Sequence, residues 1–393
     1  MSSNFPILPC YQLVEQLYDG SRTLVYRGIS ESDRQSVIIK ILRNPYPSFN
    51  ELVGFRNQHA IARHLEHPTI VRPLTLERCG NGYALVMPDD GAIALSEYWQ
   101  QSKRALSEFL NIALQLTEAL QYLSQQRVIH KDIKPANILI HPQTRQVKLI
   151  DFSISSLLPK EQQQLTNPNI LEGTLAYISP EQTGRMNRGI DYRTDFYSLG
   201  VTFFELLTGK LPFQTSDPME LVHCHLARMP SVLGNGQWVM GNGEQVPSVL
   251  LDIVMKLMAK NAEDRYQSAL GLRHDLERCL QQWETTGEIT PFELGERDVC
   301  DRFVIPEKLY GREKEVAQIL AAFERVAWGA EERGSRGAGE QGSGGAGEEF
   351  RVRNSELLLV SEQLRRFHQR RYERYHRGQA QQHHDQNRGN IDA

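Results

Sequence analysis

Apolar positions along this chain come first in short continuous runs and later in helical stripes. Val37-Ile38-Ile39, closed by Lys40, and Tyr83-Ala84-Leu85-Val86-Met87 have strand character, and Tyr18 to Tyr26 reads as a hairpin around Gly20. From Ser107 onward Phe109, Ile112, Ala113, Leu116, Leu120 and Leu123 recur at helical period. A long amphipathic helix is predicted there, with that stripe in the core. Another helix is predicted from Phe49 to Leu65, because Ser48 and Glu51 form an S-x-x-E capping box at its start. The run from Asp195 through Leu207 is apolar nearly all round and stops at Gly209, the mark of a buried central helix.

Composition narrows the class without naming a reaction. The chain has 393 residues, 40% of them hydrophobic, and a formal charge of −4, enough for one sizeable domain with residues left over. That balance implies no wholesale nucleic-acid or membrane role. Cys10, Cys79, Cys224, Cys279 and Cys300 show no C-x-x-C spacing, which suits reduced thiols in a cytosol. No basic and apolar leader opens the chain, and no apolar run reaches ~18 residues, so a cytoplasmic location without a membrane span is expected.

The candidate chemistry lies in His130-Lys131-Asp132-Ile133-Lys134-Pro135-Ala136-Asn137 and, further on, Asp151-Phe152-Ser153. Phosphoryl transfer asks a protein to hold a Mg²⁺-nucleotide in line with a hydroxyl and to neutralise charge on phosphate oxygens. Each residue type here answers one of those demands. Asp132 can accept the hydroxyl proton, Lys134 can sit against the transferring phosphate, and Asn137 and Asp151 can supply hard oxygens to Mg²⁺. A lone Asp or Lys is usually a solvated charge; the ordered spacing is what carries the reading.

With these motifs the chain resembles the eukaryotic-like (Hanks-type) serine/threonine protein kinases from about Tyr11 to about Trp283. The resemblance implies an α+β, two-lobed kinase fold over 11–283, with a small β-rich lobe at about 11–88 and a larger, mainly helical lobe at about 91–283. It makes Lys40 the phosphate anchor and puts Gly20 and Val25 in the nucleotide-covering loop, where Tyr18 and Thr23 replace two family glycines. Met87 resembles the gatekeeper, Pro88 offers the hinge its carbonyl, and Asp90 can supply the hinge N–H. Gln58 stands where the family has the glutamate that pairs with the lysine. Glu51, two turns earlier on the same face, is a second candidate partner, although its capping role explains it locally.

Gly173-Thr174-Leu175-Ala176-Tyr177-Ile178-Ser179-Pro180-Glu181 is similar to the family's G-T-x-x-Y-x-A-P-E. In the family, Thr174 with Lys134 goes with serine or threonine substrates, Glu181 pairs with Arg265 in the interior, and Asp195 holds the catalytic loop's backbone. Asp195 also reads as a helix N-cap. Lys131 replaces an arginine and Ser153 a glycine; Ser155, Ser156 and Thr166 are candidate phosphoacceptors or simple turn residues. The implied function is ATP- and Mg²⁺-dependent phosphorylation of serine and threonine hydroxyls on proteins in bacterial signal transduction. The alternative is a pseudokinase scaffold.

Residues 284–328 read as a linker and lead-in, similar to the entry of the AAA-like ATPase module of bacterial multi-sensor kinases. Residues 329–349 form a Gly- and Glu-rich flexible insert, and Glu356-Leu357-Leu358-Leu359-Val360 a strand, but no P-loop follows. In the stretch 350–393, the Arg-, Gln- and His-rich end from 361 is a disordered terminus, a basic interaction tail or an out-of-frame translation. A nucleic-acid partner is disfavoured for want of a recognition fold, and His383-His384 lacks metal-ligand spacing.

Overall fold

The computed structural model describes residues 8–157, 174–186, 188–230, 238–240 and 242–299. All of them belong to the first of two units into which the chain divides, Met1–Ile305 and Pro306–Ala393. Gly173, Thr166 and everything read from Cys300 onward, including the lead-in to 328, the insert and the basic tail, lie outside the described residues.

The small lobe is a five-stranded antiparallel sheet built from β1 (Tyr11–Asp19), β2 (Thr23–Ser30), β3 (Ser36–Leu42), β4 (Thr75–Cys79) and β5 (Gly82–Pro88), in the order β1-β2-β3-β5-β4. Alternation along β3 sorts its side chains between two faces. Val37, Ile39 and Ile41 join a cluster with Tyr26, Ala84 and Val86, while Ile38 and Leu42 pack with Phe55, Leu85 and Met87. Lys40 shares that second face, towards the helix that crosses it.

That helix, α1 (Phe49–Ala62), begins as expected. The Ser48 hydroxyl accepts from the Glu51 N–H, and the Glu51 carboxylate accepts from the Ser48 N–H at 2.8 Å. Helical hydrogen bonding ends at Ala62, short of the expected Leu65. There His64 and Leu65 donate instead to Ile61 and Ala62, three residues back, so the last turn tightens before Pro68.

The large lobe holds short strands β6 (Ile93–Ala94), β7 (Val128–Ile129), β8 (Ile138–Ile140), β9 (Val147–Leu149) and β10 (Ser156–Leu157), with helices α2 (Leu95–Gln101), α3 (Leu106–Gln125), α4 (Arg193–Thr208), α5 (Pro218–Ala227), α6 (Ser248–Leu257) and α7 (Ala269–Thr286). The expected stripe of α3 is buried from Phe109 to Leu123. α4 is buried on nearly every side and closes at Gly209. It starts at Arg193 with Tyr192 as its cap, so Asp195 is not the N-cap but a first-turn residue whose side chain is free to act elsewhere. Among the described residues no helix is long and apolar enough to cross a membrane.

Packing continues past the expected end of the domain at Trp283. Ile289 is buried, Phe292 and Leu294 lean on the large-lobe core, and the Gly295 N–H donates to the Asp275 carboxylate at 2.8 Å. Asp298 closes the segment, accepting from the backbone N–H groups of Gln267 and Ser268, both at 2.8 Å, and from the Ser268 hydroxyl at 2.9 Å. Residues 287–298 are therefore a strap running back along α7 to its start rather than the linker expected there. Apolar residues spaced among Glu and Gly carry no helical or strand period, which is why composition reads as linker.

Candidate active site

Between β7 and β8 the chain makes an irregular loop whose shape is set from below by α4. The Asp195 carboxylate accepts from the backbone N–H groups of His130 and Lys131, both at 2.8 Å. The His130 ring bonds the Ile150 carbonyl at 2.9 Å and packs edge-on against Phe152, tying the loop to the segment after β9. Gln182 donates to the Lys131 carbonyl at 2.9 Å, and Lys131 adopts a left-handed φ of 70°.

Held this way, the loop presents Asp132, Lys134 and Asn137 together. Asp132 Oδ2 accepts from Lys134 Nζ at 2.6 Å and from Asn137 Nδ2 at 2.8 Å, and its Oδ1 accepts from the Thr174 N–H at 3.0 Å. An ionised carboxylate has about four acceptor sites. Three are taken by these donors, which leaves Asp132 oriented and one site for an incoming hydroxyl. Lys134 Nζ also bonds Thr174 Oγ1, so Thr174 meets the ammonium with its hydroxyl and the carboxylate with its backbone N–H.

A second group forms across the lobes. Lys40 Nζ lies 3.0 Å from Asp151 Oδ2, donates to Gln58 Oε1 at 3.1 Å, and sits 5.6 Å from the centre of the Phe55 ring. Gln58 is buried on α1, so a hydrogen bond from the ammonium to a neutral amide replaces a charge pair. Glu51 is instead engaged with Ser48 at the helix start. Burial alone would raise the Asp151 carboxyl; the Lys40 ammonium outweighs it, with help from the Ser153 hydroxyl, and holds that carboxyl at about 2. The serine that stands in the family glycine's place thus supports the ionised aspartate.

The residues fit Mg²⁺. Asp151 Oδ1 is buried without a hydrogen-bond partner, an orphaned oxygen that a cation would satisfy. Asn137 turns its amide nitrogen to the Asp132 carbonyl at 2.9 Å and to Asp132 Oδ2, which leaves its own oxygen for a ligand role. Two protein oxygens supplemented by phosphate and water is the usual way Mg²⁺ is held.

The remaining predicted positions lie on β2, β3, β5 and the turns beside them. Val25 lies directly across from Lys40 in the β2–β3 register. Gly20 donates to the Thr23 carbonyl at 3.0 Å and accepts from Arg43 Nε at 2.8 Å, closing the turn between β1 and β2. Tyr18, itself exposed, folds its ring over this turn: a Cβ on Gly20 would stand 2.8 Å from Tyr18 Cζ, so a larger residue there would push the ring aside. Met87 is buried against Phe55 and Leu85, and Pro88 ends β5 opposite Val37. The Asp90 carboxylate pairs with Lys148 and accepts from the Ala92 N–H at 3.2 Å.

Several contacts escaped the sequence reading. Asp89 accepts from Arg27 Nε at 2.8 Å, Ser36 Oγ at 2.7 Å and the Gly91 N–H at 3.1 Å, fastening the hinge to β2 and β3. Its signal was only an acidic doublet after Pro88. Ser155, read as a candidate phosphoacceptor, is buried and donates to the His130 carbonyl at 3.0 Å, which removes it from kinase access. Glu181 and Arg265 do meet in the interior, at 2.7 and 2.9 Å, with Thr194 donating to Glu181 at 2.7 Å.

A lobed fold with a lysine–aspartate pair facing an aspartate–lysine–asparagine loop defines the phosphotransferase class. The protein kinase domain family model matches residues 11–276. The chain belongs to the protein kinase domain family. It is 32% identical over 275 residues to serine/threonine-protein kinase PrkC of Bacillus subtilis, covering 69% of this chain and 40% of that protein. It is 30% identical over 276 residues to serine/threonine-protein kinase PknB of Mycobacterium tuberculosis, covering 68% and 42%. Over 314 residues it is 34% identical to hybrid signal transduction histidine kinase G of Dictyostelium discoideum, covering 58% of this chain and 9% of that protein. The match thus spans less than half the length of each of these relatives.

Proposed function

We propose that the chain transfers the γ-phosphate of Mg-ATP to serine and threonine hydroxyls of proteins, as a cytoplasmic component of bacterial signal transduction. The observation that carries this reading is the three-way junction of Asp132, Lys134 and Thr174, which sets a carboxylate beside an ammonium at a place open to a hydroxyl. In this account Asp132 takes the proton of the attacking hydroxyl and Lys134 faces the transferring phosphate. Lys40 anchors the nucleotide's phosphates. Asn137 and Asp151 hold Mg²⁺, which supplies neutralisation of developing phosphate charge. Gly20 and Val25 cover the nucleotide, and Met87, Pro88 and Asp90 line its base.

The names of the bacterial relatives and the Thr174–Lys134 contact support serine or threonine over tyrosine. The scaffold reading draws on Gln58 in place of a carboxylate and on Tyr18 above Gly20. Incubation with γ-labelled ATP and Mg²⁺, followed by acid hydrolysis, separates them. Label in phosphoserine or phosphothreonine is expected. Label in phosphotyrosine would overturn the substrate class, and nucleotide binding without transfer would favour the scaffold.

A further inference from the structure

Two consecutive residues of α1 carry amides: Gln58 bonds Lys40, and its neighbour Asn57 meets the segment after Asp151. Asn57 aims its nitrogen at three backbone carbonyls of that segment: Ser155 at 2.9 Å, Ser153 at 3.0 Å and Phe152 at 3.4 Å. An amide has two N–H groups, so the two shorter contacts are its full bonds and the third is shared and weak. Gly54, three residues earlier on the same face, lies against the same turn, with room for a small side chain. A Cβ there would lie 3.8 Å from Ser153 Cβ and 3.9 Å from the Ser153 carbonyl, already in van der Waals contact.

The contact continues into the catalytic loop. Ser155, whose carbonyl Asn57 holds, donates its own hydroxyl to the His130 carbonyl at 3.0 Å, and the His130 N–H is fixed by Asp195. Asn57 therefore stands at the helix end of a chain of hydrogen bonds that reaches α4. By contrast, the link from α1 to Lys40 is a single bond from an ammonium to a neutral amide, weaker than one to a carboxylate. Asp151 itself has a left-handed φ of 67°, uncommon for a residue with a side chain, so its backbone depends on contacts that hold the turn in place.

We propose that Asn57 is the positioning residue that fastens α1 to the Asp151-Phe152-Ser153 turn and so sets the direction of the Asp151 oxygen offered to Mg²⁺. This rests on the phosphotransfer reading for its effect on rate, but the fastening itself is independent of turnover. It assigns the helix-to-turn coupling to neutral bonds on the backbone instead of a charge on the lysine.

The test uses the full chain with Asn57→Ala, and with Asn57→Asp, which keeps the shape but turns a donor into an acceptor facing carbonyl oxygens. In Asn57→Ala, kcat is expected to fall roughly tenfold and the free Mg²⁺ needed for half-maximal rate to rise several-fold, with the melting temperature close to wild type. Asn57→Asp is expected to be worse on both counts; if it does not fold, the alanine variant carries the kinetic test. A merely structural residue would change the folded fraction and leave the Mg²⁺ requirement alone. Unchanged kcat and Mg²⁺ dependence, or losses that track melting, would overturn the proposal. Amide hydrogen exchange across 152–157 decides it without catalysis: faster exchange in Asn57→Ala supports the fastening, and unchanged protection refutes it. A wild-type chain no more active than Asp132→Asn would defeat the proposed function, while the exchange result would still judge Asn57.

Discussion

Glu181→Ala removes the carboxylate that faces Arg265 inside the large lobe, and the structure allows the loss to be sized. Arg265 has five N–H groups and uses all of them: Nε to the Ala259 carbonyl at 2.8 Å, Nη1 to Glu181 and the Arg193 carbonyl, Nη2 to Glu181 and the Lys260 carbonyl at 3.1 Å. Both side chains are almost fully buried, so alanine at 181 strands a guanidinium with two unmet donors and no counter-charge. Breaking such a pair from one side costs about 3–5 kcal/mol. For a domain of this size that corresponds to a fall in melting temperature of roughly 10 °C. Glu181→Gln, which keeps one acceptor, should lose less. Joint replacement by Glu181→Leu and Arg265→Met should recover only part of the stability, because it leaves the carbonyls of Ala259, Arg193 and Lys260 without donors. Thermal and urea unfolding of the four proteins measures this. A Glu181→Ala protein within about 1 kcal/mol of wild type would refute the claim that the pair is dry and structural.

Gln58→Glu places a carboxylate against Lys40, and basal transfer should rise or hold; a fall, with Glu51→Gln also damaging, would show Glu51 to be the working partner. Asp298→Ala removes three acceptor contacts at the start of α7 and should cost about 1–2 kcal/mol in urea unfolding, whereas no change would return 287–298 to the status of a linker. His225, buried beneath Leu175–Tyr177 beside Tyr197 and Lys260, is pushed down to about 4 by burial and then by the Lys260 charge. The folded chain thus refuses a proton that the unfolded chain accepts from its ordinary 6.5 downward, so stability should drop as pH falls from 6.5 to 4 and flatten below. His225→Gln should be less stable at neutral pH yet lose less across that window, and equal slopes for the two proteins would contradict the assignment.

Much of the site was legible because its chemistry is compressed into ordered local spacing. Asp132, Lys134 and Asn137 sit within one loop, and the apolar run before Lys40 fixed its strand and therefore its face. Gln58 was found by alignment, because Phe55 and the run His67-Pro68-Thr69-Ile70-Val71 match the family's pattern on either side of it and so fix its place on the helix. What escaped depends on partners distant in sequence. Asn57 is one more polar residue on a helix until the carbonyls of Phe152, Ser153 and Ser155, nearly a hundred positions away, are brought to it. Asp195 was read from the resemblance as holding the catalytic loop, with a helix cap as a compatible second role, and its bonds to His130 and Lys131 are the contacts that the sequence alone does not display. The strap from 287 to 298 defeated periodicity because it is held by single anchors such as Ile289 and Asp298 rather than by a repeating face.

The central claim is that Asp132 acts as the base for phosphate transfer in a site assembled for that purpose. Single-turnover transfer from Mg-ATP to a protein substrate, measured on wild type and Asp132→Asn alongside nucleotide affinity by calorimetry, tests it most directly. The account predicts matched nucleotide affinities and a transfer rate about 10²-fold or more lower in the variant, since asparagine keeps the shape and cannot take the proton. Equal transfer rates in the two proteins would contradict it.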